Sequence, residues 1–110
     1  MASYLKPDVV LVRYVFTDLS GVKIRPGVVV STSHPSRDLM IVPLTSRVSG
    51  LQPGEFVLSD WKSAGLNVTS AVKRGIYTVE ETSVLKRVGK LVDADLVKLE
   101  QSLRGWLGLS

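Results

Sequence analysis

The spacing of apolar positions changes along this chain, from near-continuous short runs at the start to a four-and-three step at the end. Asp8 to Phe16 (DVVLVRYVF) is β-branched and aromatic, with apolar residues on both alternating faces until Arg13. A strand apolar on both sides has to be covered on both, as in a small barrel or under a packed helix. Thr17 to Lys23 supplies Thr, Asp, Ser and Gly, which bond locally or accept positive φ, and reads as a loop with few apolar anchors beyond Leu19. Gly27 to Thr32 is the expected second strand. Pro26 stands at its entrance, where a missing N–H costs no ladder bond.

After the Ser33–Asp38 loop, Leu39 to Thr45 is almost continuously apolar, and Pro43 predicts a bulge or an edge there. Thr45 to Gly50 is small and polar, and Gln52-Pro53-Gly54 is a turn signal leading into a short strand, Glu55 to Ser59. Asp60 to Gly65 has a capping aspartate and a glycine stop, the pattern of a single helical turn. Thr69 to Lys73 and Ile76 to Glu80 are expected as short strands around Arg74-Gly75, and Val84 to Leu91 as another.

Only the last segment has a helical period. Val92, Leu96, Leu99, Leu103 and Trp106 step by 4, 3, 4 and 3, one stripe of a 3.6-residue repeat over Asp93 to Leu107. Asp93 and Asp95 load acid onto the first turn, where it complements the macrodipole, and Gly105 is expected to fray the last turn. Fifteen residues would span roughly 22 Å, enough to cross one open side of a small barrel. Many short strands and one terminal helix predict a mainly β fold in a single domain, residues 1–110.

Composition narrows the chemistry. The 110 residues contain no cysteine, which excludes disulfides, thiolate metal sites and a cysteine nucleophile. The formal net charge of +4 favours anionic partners, though such an excess is common in proteins that never meet nucleic acid. No window approaches the ~20 apolar residues of a membrane span, and nothing near Met1 reads as an export signal. A cytoplasmic protein is expected. Asn67-Val68-Thr69 spells a glycosylation acceptor, a chance match without secretion.

The order of short motifs resembles the MazF/PemK family of type II toxin–antitoxin ribonucleases, in its PemK-like branch. Asp8-Val9-Val10-Leu11-Val12 followed by Phe16-Thr17-Asp18-Leu19-Ser20-Gly21 is similar to the family opening GDVVLVxFPFTDLSG. Arg25-Pro26-Gly27-Val28-Val29-Val30-Ser31 matches RPALVVS, and Pro43-Leu44-Thr45-Ser46 matches PITS. Asp60-Trp61-Lys62-Ser63-Ala64-Gly65-Leu66 matches DWxxAGL, and Val88-Gly89-Lys90-Leu91 matches LGRL. Each motif is weak alone; their shared order and spacing carry the resemblance.

The resemblance implies an SH3-like small β-barrel with a C-terminal α-helix, a homodimer, and metal-independent cleavage of single-stranded RNA without a cofactor. It also implies a cognate acidic antitoxin that occupies the substrate groove. By motif position, the catalytic pair falls on Arg25 and Thr45. Ser46, Arg47, Lys23, Asp18 and Lys73 are the implied substrate-binding residues, with the Thr17–Ile24 loop as a lid. Gly75 stands where some members carry a catalytic acid.

The chemistry of these residue types fits that implication. RNA carries its own nucleophile, the 2′-hydroxyl, so the protein has to orient it and neutralise charge on the phosphorus. Arginine is a permanent cation whose forked donors match two phosphate oxygens, which makes it a clamp and a poor base. A threonine hydroxyl can donate to the same phosphate. No residue is assigned as general base; His34, the sole histidine, has the right chemistry but sits in a Ser/Pro-flanked loop. Lys73-Arg74 and Lys86-Arg87-Lys90 read first as solvated faces, and as an RNA path second. Two alternatives stay open: a CcdB-like inhibitor of DNA gyrase that uses C-terminal residues such as Trp106, and a weakened family member that mainly binds its antitoxin.

Overall fold

The computed structural model describes residues 4–15 and 21–109. The expectations placed on Phe16 to Ser20, including Asp18, lie outside the described residues. The strands are β1 (Asp8–Val15), β2 (Val22–Val29), β3 (Asp38–Thr45), β4 (Phe56–Val57), β5 (Ala71–Val72), β6 (Tyr77–Glu80) and β7 (Val84–Lys90). A 3₁₀ turn at Glu81–Ser83 precedes β7, and one helix, α1 (Asp93–Leu107), ends the chain.

All strand pairings are antiparallel, in the order β4-β5-β3-β2-β1-β7, with β6 also paired to β3. Among the described residues no ladder joins the two ends of this order, so the sheet curls without closing and is barrel-like only loosely. The mainly β architecture with a C-terminal helix is as the sequence predicts.

Both faces of the sheet are buried, as the doubly apolar first strand requires. Val9, Val28, Val42 and Leu44 meet Leu58, Val72, Leu91 and Leu99 in one cluster under the helix. On the other face Val10, Val12, Val29, Leu39 and Ile41 gather with Val84 in a second cluster, with Tyr14 and Val79 packed against it. The alternation along β1 and β2 sends successive valines into different cores. Each such side chain, fully buried, contributes roughly 1.5–3 kcal/mol.

Several local expectations need correction. β2 begins at Val22, not Gly27: Val22 to Pro26 pair with Val15 to Leu11, because the alternating apolar positions Val22 and Ile24 extend the ladder into the expected loop. Lys23, Ile24 and Arg25 are therefore strand residues. Pro26 sits inside β2, one residue before the pairing with β3 starts at Gly27, so on that flank it interrupts no ladder.

Pro43 marks the gap where β3 changes partner: Asp38 to Ile41 pair with β6, and Leu44 and Thr45 with β5. The strands expected at Glu55 to Ser59 and Thr69 to Lys73 shorten to two residues each, β4 and β5. Asp60 to Gly65 is a run of turns and not a helix. Its capping is nonetheless as expected, since the Asp60 carboxylate accepts the Ser63 N–H at 3.1 Å and the Ser63 hydroxyl at 2.7 Å.

The helix keeps its predicted bounds. Gly105 stays helical, and Gly108, in the left-handed region at φ 69°, makes the stop, with Leu109 N–H donating to Arg104 O at 2.8 Å. Asp95 does more than complement a dipole. Its carboxylate is 1% exposed and accepts from the Ser59 N–H, the Ser59 hydroxyl and the Asp60 N–H at 2.9–3.3 Å, tying the first turn of α1 to the segment after β4.

Candidate active site

Register brings the expected catalytic residues together. The last residues paired in register between β2 and β3 are Gly27 and Pro43. Carried two residues further, the same register sets Arg25 opposite Thr45, on one side of the sheet. β5 adds the third group. Thr45 pairs with Ala71, and the Lys73 N–H donates to Pro43 O at 3.0 Å, so the ladder continues and Lys73 shares the parity of Thr45.

A groove of about 1240 Å³ runs along this region, lined among others by Arg25, Thr45, Ser46 and Lys73. That exceeds the roughly 300–1,000 Å³ of a pocket for a small molecule and suits a length of polymer. Its cations are Arg25, Lys73, Lys86 and Arg87, and no Asp or Glu is among its described lining residues. The Ala64–Ser70 segment forms part of one wall through Leu66, Asn67 and Val68.

Arg25 is exposed, and its Nη1 donates to Ile24 O at 3.1 Å, which holds part of the guanidinium against the strand. Thr45 Oγ1 accepts the Arg47 N–H at 3.0 Å; this orients the hydroxyl and leaves its hydrogen free to donate. Arg87 Nε lies 3.0 Å from the Asp8 carboxylate, so this cation is held at the rim by the first residue of β1.

Other expected residues fall elsewhere. Arg47 and Lys23 are not among the groove-lining residues, and Lys23 has other interactions. His34 also lies outside the lining: its Nδ1 accepts the Ser36 N–H at 3.1 Å within its own exposed loop. Trp106 is docked on the Pro53–Gly54 turn, where its Nε1 donates to Pro53 O at 3.0 Å and its ring would overlap any side chain at Gly54.

Four lining residues carry chemistry that sequence reasoning either missed or left on solvated faces. Lys86 and Arg87 belong to the groove because bulges between β1 and β7 shift the register twice, which no periodicity in the sequence announces. Tyr14 and Tyr77 are distant in the chain but meet edge to face, ring centres 6.0 Å apart. Aromatic enrichment of β1 is visible in the sequence; the partner is not.

An open, curled antiparallel sheet with a terminal helix thus carries a groove whose described lining is cationic and holds no Asp or Glu. Residues 7–107 match the family of PemK-like, MazF-like toxins of type II toxin–antitoxin systems, and the chain belongs to it. No curated protein sequence is similar enough to match.

Solved structures share the fold. An endoribonuclease from a mycobacterial species superposes with a TM-score of 0.75 at 23% identity, over 99% of this chain and 95% of that one. A mycobacterial endoribonuclease in complex with its cognate antitoxin gives 0.74 at 22% identity, covering 100% and 98%. A chain of the MazE–MazF complex of Deinococcus radiodurans gives 0.80 at 17% identity, covering 97% of each.

Proposed function

We propose that the protein is the toxin of a type II toxin–antitoxin pair, acting as a metal-independent, sequence-selective endoribonuclease on single-stranded mRNA. The observation that carries this reading is the convergence of Arg25 on β2, Thr45 on β3 and Lys73 just after β5 on one groove with no carboxylate among its described lining residues. Arg25 clamps the non-bridging oxygens of the scissile phosphate. Thr45 donates its hydroxyl to the same group. Lys73 and Lys86 hold flanking phosphates. Ser46, Arg47, Lys23 and Asp18 complete the proposed substrate path from the ends of β2 and β3 and the segment between β1 and β2.

The step needs no external nucleophile. The 2′-hydroxyl loses its proton as its oxygen bonds to phosphorus, and the bond to the 5′-oxygen breaks as that oxygen gains a proton. The products are a 2′,3′-cyclic phosphate and a 5′-hydroxyl. Charge accumulates on phosphate oxygens in the transition state, where preorganised donors act most strongly.

The groove's cationic lining also suits an acidic antitoxin segment, and a mycobacterial relative in fold is found in complex with its cognate antitoxin. We assign the same class of partner here, together with a homodimer and a cytoplasmic setting.

The test is direct. Purified protein is incubated with long single-stranded RNA in EDTA and the new ends are mapped. Cyclic-phosphate ends are expected from the wild type and are expected to vanish in Arg25→Ala. Absence of wild-type cleavage together with inhibition of DNA supercoiling would sink the proposal in favour of a gyrase inhibitor.

A further inference from the structure

The chemistry above leaves Tyr14 unused. Its hydroxyl is buried and has no hydrogen-bond partner among the described residues. A buried hydroxyl without a partner costs stability, and a phenylalanine would fill the same space without that cost. Burial, and then the neighbouring Tyr77, push the Tyr14 phenol above its ordinary value, which keeps it a protonated donor at any working pH.

Its surroundings point to an aromatic ligand with hydrogen-bonding edges. Tyr14 lines the groove, and so does Tyr77, a residue that is 48% exposed and meets Tyr14 edge to face. Arg25 pairs across the β1–β2 ladder with Val12, two residues from Tyr14. Tyr14 is thus a diagonal neighbour of Arg25 on the same face, about 7–8 Å away by sheet geometry. Unstacked RNA bases are recognised by stacking on aromatic rings and by hydrogen bonds to their edges.

We infer that Tyr14 and Tyr77 form a nucleobase subsite beside the phosphate clamp, in which Tyr77 stacks on a base and the Tyr14 hydroxyl donates to an acceptor on its edge. Binding moves the exposed Tyr77 ring and opens the hydroxyl to the base. The subsite rests on the endoribonuclease reading and gives it a residue that selects sequence. The hydroxyl, without a partner among the described residues, is then satisfied when the correct base arrives.

The experiment maps cleavage sites and rates on one long single-stranded RNA for wild type, Tyr14→Phe, Tyr77→Leu and Arg25→Ala, alongside urea midpoints. Tyr14→Phe is expected to lose about ten-fold in kcat/KM, a loss of the order of one hydrogen bond. Base preference should relax at one nucleotide position, with an unchanged or higher midpoint. Tyr77→Leu should relax the same position.

Identical sites and rates in Tyr14→Phe would overturn the subsite while leaving the endoribonuclease reading intact. A lowered midpoint with an even loss at every site would also overturn it, marking Tyr14 as a packing residue. If the wild type makes no Arg25-dependent cut, the endoribonuclease reading fails and the subsite fails with it.

Discussion

Thr45 shows how much of a site one residue can carry and how it can be separated from folding. Its Oγ1 accepts the Arg47 N–H at a strand end, an exposed contact that water can replace. Under the proposed function its hydrogen donates to phosphate. Thr45→Val is therefore expected to lower the cleavage rate by about 10²–10³, the typical effect of removing one preorganised donor, with little change in the urea midpoint. Thr45→Ser should restore most of the rate. A Thr45→Val protein that cleaves like the wild type would remove Thr45 from the catalytic pair. The residue types of this pair were legible in the sequence through the Arg-Pro and Thr-Ser motifs. Their juxtaposition was not, because it depends on the β2–β3 register, which involves residues 16 positions apart.

Elements are held in place by close approaches that only glycine permits. The turns of Asp60 to Gly65 dock on β7 through Gly65 and Gly89: a methyl on Gly65 would overlap the Val88 carbonyl, and one on Gly89 the Ala64 carbonyl. Gly65 also has φ +88°, disfavoured for any other residue. These two glycines explain physically why two separate sequence motifs each carry one. Gly89→Ala is expected to destabilise the fold by about 1–3 kcal/mol, the usual result of forcing an extra methyl into packed backbone, as read from urea unfolding. Because Gly65 and Leu66 line the groove, cleavage at saturating RNA should fall as well. A Gly89→Ala protein as stable as the wild type would mean that the contact can open freely. At the helix, by contrast, the bounds are as the sequence predicts: Gly105 keeps the helical conformation instead of fraying, and Gly108 takes the left-handed one.

At the scale of the whole molecule, surface carboxylates tie segments of the chain together, Glu55 and Glu100 over long separations and Asp60 locally. Glu55 is pulled below its ordinary range by accepting the Arg74 N–H and then the Gln52 N–H, with the Lys73 and Arg74 charges adding to this. Asp60 is lowered by the Ser63 hydroxyl and N–H, and Glu100 by its bond to Lys6. In each case the folded carboxyl binds its proton less tightly than the unfolded one. Their contribution is present above the ordinary carboxylate range and is lost as pH falls through and below it. The urea midpoint is therefore expected to decline as pH is lowered from about 6 to about 3, shallowly because these groups are exposed and screened. A midpoint that held or rose over that interval would contradict the assignment.

The sequence by itself determined the class of fold, the bounds of the terminal helix and the identity of the candidate clamp. Those properties follow from local spacing: a period of two with both faces apolar, a period of 3.6, and short motifs set by turn chemistry. Tertiary structure alone decided that Arg25 lies within a strand, that the sheet stays open, and that Tyr14 and Tyr77 meet in the groove. Each of these depends on which strands pair, in what register and with which bulges. That choice is made by burying both faces of β1 at once, a condition that involves residues from every part of the chain.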